Sequence, residues 1–144
     1  MRLRLRSLLA ALLLVAVAGH RAGAAPKPKL VLVAISGTED IQRMTAPFRH
    51  AAILKRSGKV ADVAVVVYGR AVAALNTRAA GVPEETRKQI AAAKLAGVHI
   101  YVCEHALEQA GVAADAVAPE AERVPQGIVK VAELVGEGYA PLQY

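Results

Sequence analysis

The sequence predicts an α/β domain, a three-layer α/β/α arrangement around a mostly parallel sheet of about five strands. Three observations point there. The runs "LVLVAIS" (30–36) and "ADVAVVVYG" (61–69) are continuously apolar, rich in branched residues and closed by glycine turns. Strands buried on both faces read that way. Stretches with helical spacing follow each run, so strands and helices alternate. The roughly 120 residues that follow the first two dozen fit one domain with its own core.

Those first residues read differently. Arg2, Arg4 and Arg6 precede an unbroken apolar run at 8–18, and Ala22-Gly23-Ala24 has the small-x-small form of a cleavage site. This is the pattern of a secretory signal peptide, with the cut expected after Ala24. The apolar run is shorter than the roughly 20 residues a bilayer crossing takes. The expected organisation is therefore a signal peptide at 1–24 and an α/β domain at 25–144, in a periplasmic protein with no membrane attachment after cleavage.

Within the domain, Pro26 and Pro28 form an extended lead-in to the first strand. Ser36-Gly-Thr-Glu39 fits a capping box, with a helix to about Arg56 that Pro47 would kink or break. After the second strand, "RAVAALN" suggests one or two helical turns. Pro83-Glu84-Glu85 opens a helix with Ile90, Ala93 and Leu95 facing inward, which stops at Gly97. "VHIYVC" is the third strand, followed by a short helix from Glu104 to Ala110. Arg123-Val124-Pro125 suggests a very short strand. Gly127 to Glu137 is the last helix, with Ile128, Val131, Leu134 and Val135 on one stripe. "GYAPLQY" ends the chain extended.

Charge excludes one class of partner. The chain carries 18 Lys+Arg against 12 Asp+Glu, but four of the arginines (Arg2, Arg4, Arg6, Arg21) belong to the leader. The remaining 14 against 12 are scattered, and Phe48 and four tyrosines are the only aromatics. Nucleic-acid binding is not expected. The GxxxxGK[ST] and GxSxG patterns are absent, so neither a phosphate loop nor a nucleophile elbow is expected. The acid pairs Glu39-Asp40 and Glu84-Glu85 fall at helix starts, where capping accounts for them.

Ligands of such sheets bind beyond the carboxyl ends of the strands. Three segments reach that edge: Ser36-Gly37, Tyr68-Gly69-Arg70 and Cys103-Glu104-His105. Cys103 is the only cysteine. At the end of a strand and the start of a helix it meets unpaired N–H groups, which favour thiolate. Arg70 and protonated His105 would add to this, and Glu104 would oppose it. The other reading is a small buried hydrophobe. Arg70 is read either as an oxyanion holder or as a solvated loop arginine. His99 and Cys103 lie on one strand roughly 13 Å apart, too far for one metal ion. No metal site and no cofactor is expected. His99 is read as a satisfied histidine within the sheet, His50 as lying on a helix face.

"AGVHIYVCEHALEQAGV" (96–112) resembles the cysteine segment of the DsrE/DsrF/TusD-like proteins: a helix ending in glycine, an apolar strand, then V-C-x-x-A-L-x-x-x-G. "ADVAVVVYGRAVAAL" is similar to the second strand and following turn of that family. "VPQGIVKVAELVGEGYAPLQY" is similar to its ending. The resemblance runs from about Lys29 to Tyr144 and implies a DsrE-like domain, flavodoxin-related in layout, that assembles into trimers or hexamers. It implies that Cys103 carries sulfur as a persulfide between donor and acceptor proteins or small sulfur compounds. Arg70, His105 and Tyr68 are the supporting candidates. The rival expectation is a non-catalytic oligomeric binding or scaffold module with Cys103 buried and inert. A third is a small-molecule binder at the strand-end cleft that uses no thiol.

Overall fold

The computed structural model describes residues 25–144, and the expected signal peptide lies outside them. Strands β1 (Lys29–Ala34), β2 (Asp62–Val67), β3 (His99–Cys103), β4 (Glu122–Val124) and β5 (Tyr139–Gln143) form one sheet in the order β4-β3-β2-β1-β5. Every neighbouring pair is parallel. Helices α1 (Ile41–Arg56), α2 (Glu84–Leu95), α3 (Glu104–Gln109) and α4 (Gly127–Gly136) connect them, with short 3-10 segments at Gly69–Leu75 and Ala114–Ala116.

Strand order and handedness together decide the layers. From β1 to β4 the chain steps one way across the sheet, and right-handed crossovers put α1, α2 and α3 on one face. The last connection returns from β4 past three strands to β5, so the same handedness sends α4 to the other face. The core divides accordingly. Leu32, Val65, Ile100 and Val102 pack under Met44 and Phe48 of α1, Ile90 of α2 and Leu107 of α3. On the other face Val31, Val33, Ala64 and Val66 pack with Leu134 of α4 and Tyr139 of β5. A buried hydrogen bond between Thr45 and Thr86 (2.7 Å) ties α1 to α2.

The structure departs from the sequence reading at four places. The first helix is capped by Asp40, whose Oδ1 accepts from the Arg43 N–H (3.0 Å). Glu39 turns back to accept from the Gly37 N–H (2.9 Å) and does not close a box on Ser36. Helix α1 continues unbroken through Pro47, which is buried in the core-facing row. Proline removes one helical bond there, and packing offsets the loss.

Leu95, expected inside, is 89% exposed. The buried row of α2 is Thr86, Ile90 and Ala93, spaced four and three apart, and Leu95 falls off it. On α4 the row that meets the sheet is Gly127, Val131 and Leu134. Ile128 and Val135 each sit one residue further round and face outward, at 57% and 44% exposure. The extended tail is a full edge strand paired in register along β1, from Lys29↔Tyr139 to Val33↔Gln143.

Candidate functional site

The carboxyl edge of the sheet holds the cysteine. Cys103 ends β3, pairs with Val124 of β4 and is the N-cap of α3. Its Sγ accepts from the Ala106 N–H at 3.4 Å and lies 3.9 Å from the Pro125 carbonyl oxygen. The connection leaving β3 goes to one face and the connection leaving β4 to the other, so the chain parts at these two neighbouring strands. Such a divergence is where α/β sheets form their crevice.

The first turn of α4 closes onto that point. A Cβ placed on Gly127 would stand 3.1 Å from the Cys103 Cβ, 2.8 Å from the Tyr68 Cβ and 3.1 Å from Tyr68 Cδ1. These are stiff atoms near the backbone, so only glycine fits without a shift. Val67 pairs with Val102, which brings Tyr68 alongside Cys103 at the strand ends. Cys103 is therefore enclosed, and the residue is 6% exposed. A hollow of about 190 Å³ lined by Val124, Pro125, Gln126, Val129, Lys130 and Glu133 adjoins it along α4.

The supporting candidates sort unequally. Tyr68 is at the site. Arg70 leaves β2 toward β1, where its guanidinium pairs with Glu39 at 3.1 Å. The Gly37 N–H, with Arg70 behind it, holds the Glu39 carboxyl below the ordinary carboxylate range. His105 is exposed on α3, and its Nε2 meets the Gln109 side-chain nitrogen at 3.1 Å. Glu104 is met by Arg123, whose Nε (2.9 Å) and terminal nitrogen (2.7 Å) both donate to Oε1. The negative neighbour of Cys103 is thus matched by a positive one from β4.

Sequence reasoning missed Gly127, Arg123 and Pro125. Gly127 was legible only as a helix start. His50 lies on α1 as expected, and its Nδ1 meets the Tyr144 hydroxyl at 2.9 Å. Among the described residues no group of three or more His, Cys, Asp or Glu is placed to hold a metal ion.

A second polar cluster occupies the opposite, amino edge. Asp62 accepts from Lys55 Nζ (2.5 Å), the Tyr139 hydroxyl (2.5 Å) and the Val63 N–H (2.9 Å). Burial alone would raise the Asp62 carboxyl, but those hydrogen bonds outweigh it and hold it below its ordinary value. His99 is exposed at this edge with Nε2 3.4 Å from Asp62 Oδ2, so it meets a half-buried carboxylate at the strand start and is not held within the sheet.

The model of the DsrE/DsrF-like family matches residues 28–144, nearly the whole described domain. The chain belongs to the DsrE/DsrF-like family. The DsrE-like fold is also that of solved structures at low identity. A protein of unknown function from Methanobacterium thermoautotrophicum, MTH1491, aligns with a TM-score of 0.69 at 18% identity, covering 82% of this chain and 100% of that one. The ychN protein from E. coli aligns at 0.67 and 16% identity, covering 81% and 99%. A conserved protein of unknown function from Bacteroides thetaiotaomicron, BT1422, aligns at 0.58 and 17% identity, covering 81% and 94%. No curated protein sequence matches this DsrE/DsrF-like chain.

Proposed function

We infer from membership of the DsrE/DsrF-like family that this protein has a sulfur-related function. We propose that this protein is an exported, periplasmic sulfur carrier whose working group is Cys103. One observation carries the reading most: the single cysteine of the chain stands at the strand-end crevice, with the Ala106 N–H directed at Sγ. The chemistry is thiol exchange. The Cys103 thiolate attacks a sulfane sulfur of the donor, the Sγ–S bond forms, and the donor's S–S bond breaks with its electron pair leaving on the donor. An acceptor thiolate then attacks the outer sulfur, and Sγ departs as thiolate. One S–S bond forms for each that breaks, so neither step needs a redox cofactor.

A second reading is favoured by the burial of Cys103, and it makes the protein a non-catalytic oligomeric module with an inert thiol. Iodoacetamide labelling of the folded protein separates the two. Labelling without denaturant supports the carrier, and labelling only after unfolding supports the module. Export is tested by N-terminal sequencing of the periplasmic fraction, with Ala25 as the expected first residue. Retention of Met1 in a membrane fraction overturns it.

A further inference from the structure

A hollow of about 180 Å³ opens beside α2 and shares no lining residue with the cysteine crevice. Its apolar floor includes Ala74, Ile90 and Ala118, all part of the core on the α1 to α3 face. The chain around it is held before any ligand arrives. Asn76 bridges to Val117, the Thr77 N–H donates to the Ala116 carbonyl (2.8 Å), and the Ala118 N–H donates to the Leu75 carbonyl (2.8 Å). Arg87 of α2 lines the hollow and is tied to the same chain segment. Its Nη1 donates to the Asn76 carbonyl (3.2 Å) and its Nη2 to the Ala79 carbonyl (2.8 Å). Among the described residues Arg87 is the one arginine that is not exposed. Arg43, Arg70, Arg78 and Arg123 each meet a carboxylate, and among the described residues Arg87 meets none. Glu120 lines the same hollow, and its carboxylate has neither an ion-pair nor a hydrogen-bond partner among the described residues.

We propose that this hollow binds a small zwitterion of the α-amino-acid class, with its carboxylate on Arg87 and its ammonium toward Glu120. A half-buried guanidinium met only by neutral carbonyls keeps an unmatched charge in a partly dry place. The second N–H of each terminal nitrogen and the N–H of Nε have no protein partner among the described residues. A carboxylate accepts from such a fork through paired charge-assisted bonds. Glu120 then selects among carboxylates. A plain monocarboxylate brings a second negative charge beside it, whereas an ammonium on the same ligand turns that repulsion into attraction. The volume sets the size. A cavity of about 150 Å³ holds one benzene, so this hollow takes roughly six to eight non-hydrogen atoms. The floor of alanine and isoleucine calls for a short apolar side chain. The site uses nothing of Cys103 and does not depend on the carrier reading.

Titration of the purified protein followed by amide NMR tests this, with L-2-aminobutyrate, butyrate and n-butylamine as probes. The three share one carbon chain and differ in charge. L-2-aminobutyrate should shift the Thr77, Ile90 and Ala118 amides saturably. It should bind more tightly than either other probe by about tenfold or more, the scale of one lost hydrogen bond to a charged group. Glu120→Gln should remove its preference over butyrate. Arg87→Lys, which keeps the charge and loses the fork, should weaken L-2-aminobutyrate and butyrate alike by about tenfold. If Arg87→Lys does not fold, Glu120→Gln carries the test alone, since that carboxylate makes no bond the described fold uses. The absence of a saturable shift with L-2-aminobutyrate overturns the site. Butyrate or butylamine binding the wild type as tightly, or an unchanged preference in Glu120→Gln, overturns the zwitterion assignment.

Discussion

The Tyr139 hydroxyl, at the start of β5, donates to the Asp62 carboxylate at the start of β2, 2.5 Å away and across the intervening strand β1. Burial first, and this hydrogen bond next, push the Tyr139 phenol far above its ordinary value. The bond fastens the edge strand β5 to β2.

Tyr139→Phe should therefore destabilise the protein by about 1.5–3 kcal/mol, the range for a hydrogen bond to a charged group. Urea unfolding measures it. The pH dependence has two limbs. The depressed Asp62 carboxyl contributes stability above about pH 4, and this is lost as pH falls through its lowered folded value. The raised Tyr139 phenol contributes below about pH 10, and its share is lost as pH rises toward its folded value. The Phe variant should lose the tyrosine share of the alkaline limb. An unchanged alkaline limb would show that another group carries it.

Two glycines of α4 should respond in opposite directions. Gly127→Ala forces the start of α4 away from Tyr68 and Cys103 and should cost about 1–3 kcal/mol, as overpacking does. A Cβ at Gly136 meets nothing within 4 Å, so Gly136→Ala should be neutral or stabilise by up to about 1 kcal/mol through helix propensity. Denaturation midpoints of the two variants decide this, and equal midpoints would refute the close approach of α4 to the thiol.

The outward stripe of α4 should be a contact between copies of this chain. Ile128, Val129 and Val135 are 57%, 51% and 44% exposed on the sole helix of that face, among the described residues. An apolar patch of this kind on a folded domain marks an interaction surface. Light scattering should give a trimer or hexamer for the wild type and a smaller species for Ile128→Asp/Val135→Glu. A wild-type monomer at micromolar concentration would contradict it.

What was legible in the sequence follows from where the signal resides. The strands β1, β2 and β3 are buried on both faces, so their apolar runs announce them. β5 is buried only at Tyr139 and exposed from Ala140 to Gln143, and Pro141 in "YAPLQ" hides it, since an edge strand tolerates proline where a central strand does not. The position of Cys103 at a strand end was legible because a strand-to-helix change needs only local pattern. The direction of Arg70 was not, because the pairing with Glu39 depends on which neighbour the exit loop of β2 leans toward. Gly127 beside Cys103 was equally hidden. It requires the connection from β4 to cross to the other face of the sheet and return past three strands to β5, which no local pattern encodes.

Sulfur uptake at Cys103 is read by intact-mass measurement after incubation with polysulfide. The wild type should gain one sulfur atom, a small acceptor thiol should remove it, and the nearly isosteric Cys103→Ser protein should gain none while keeping its fold. No gain in the wild type, or an equal gain in Cys103→Ser, would contradict it.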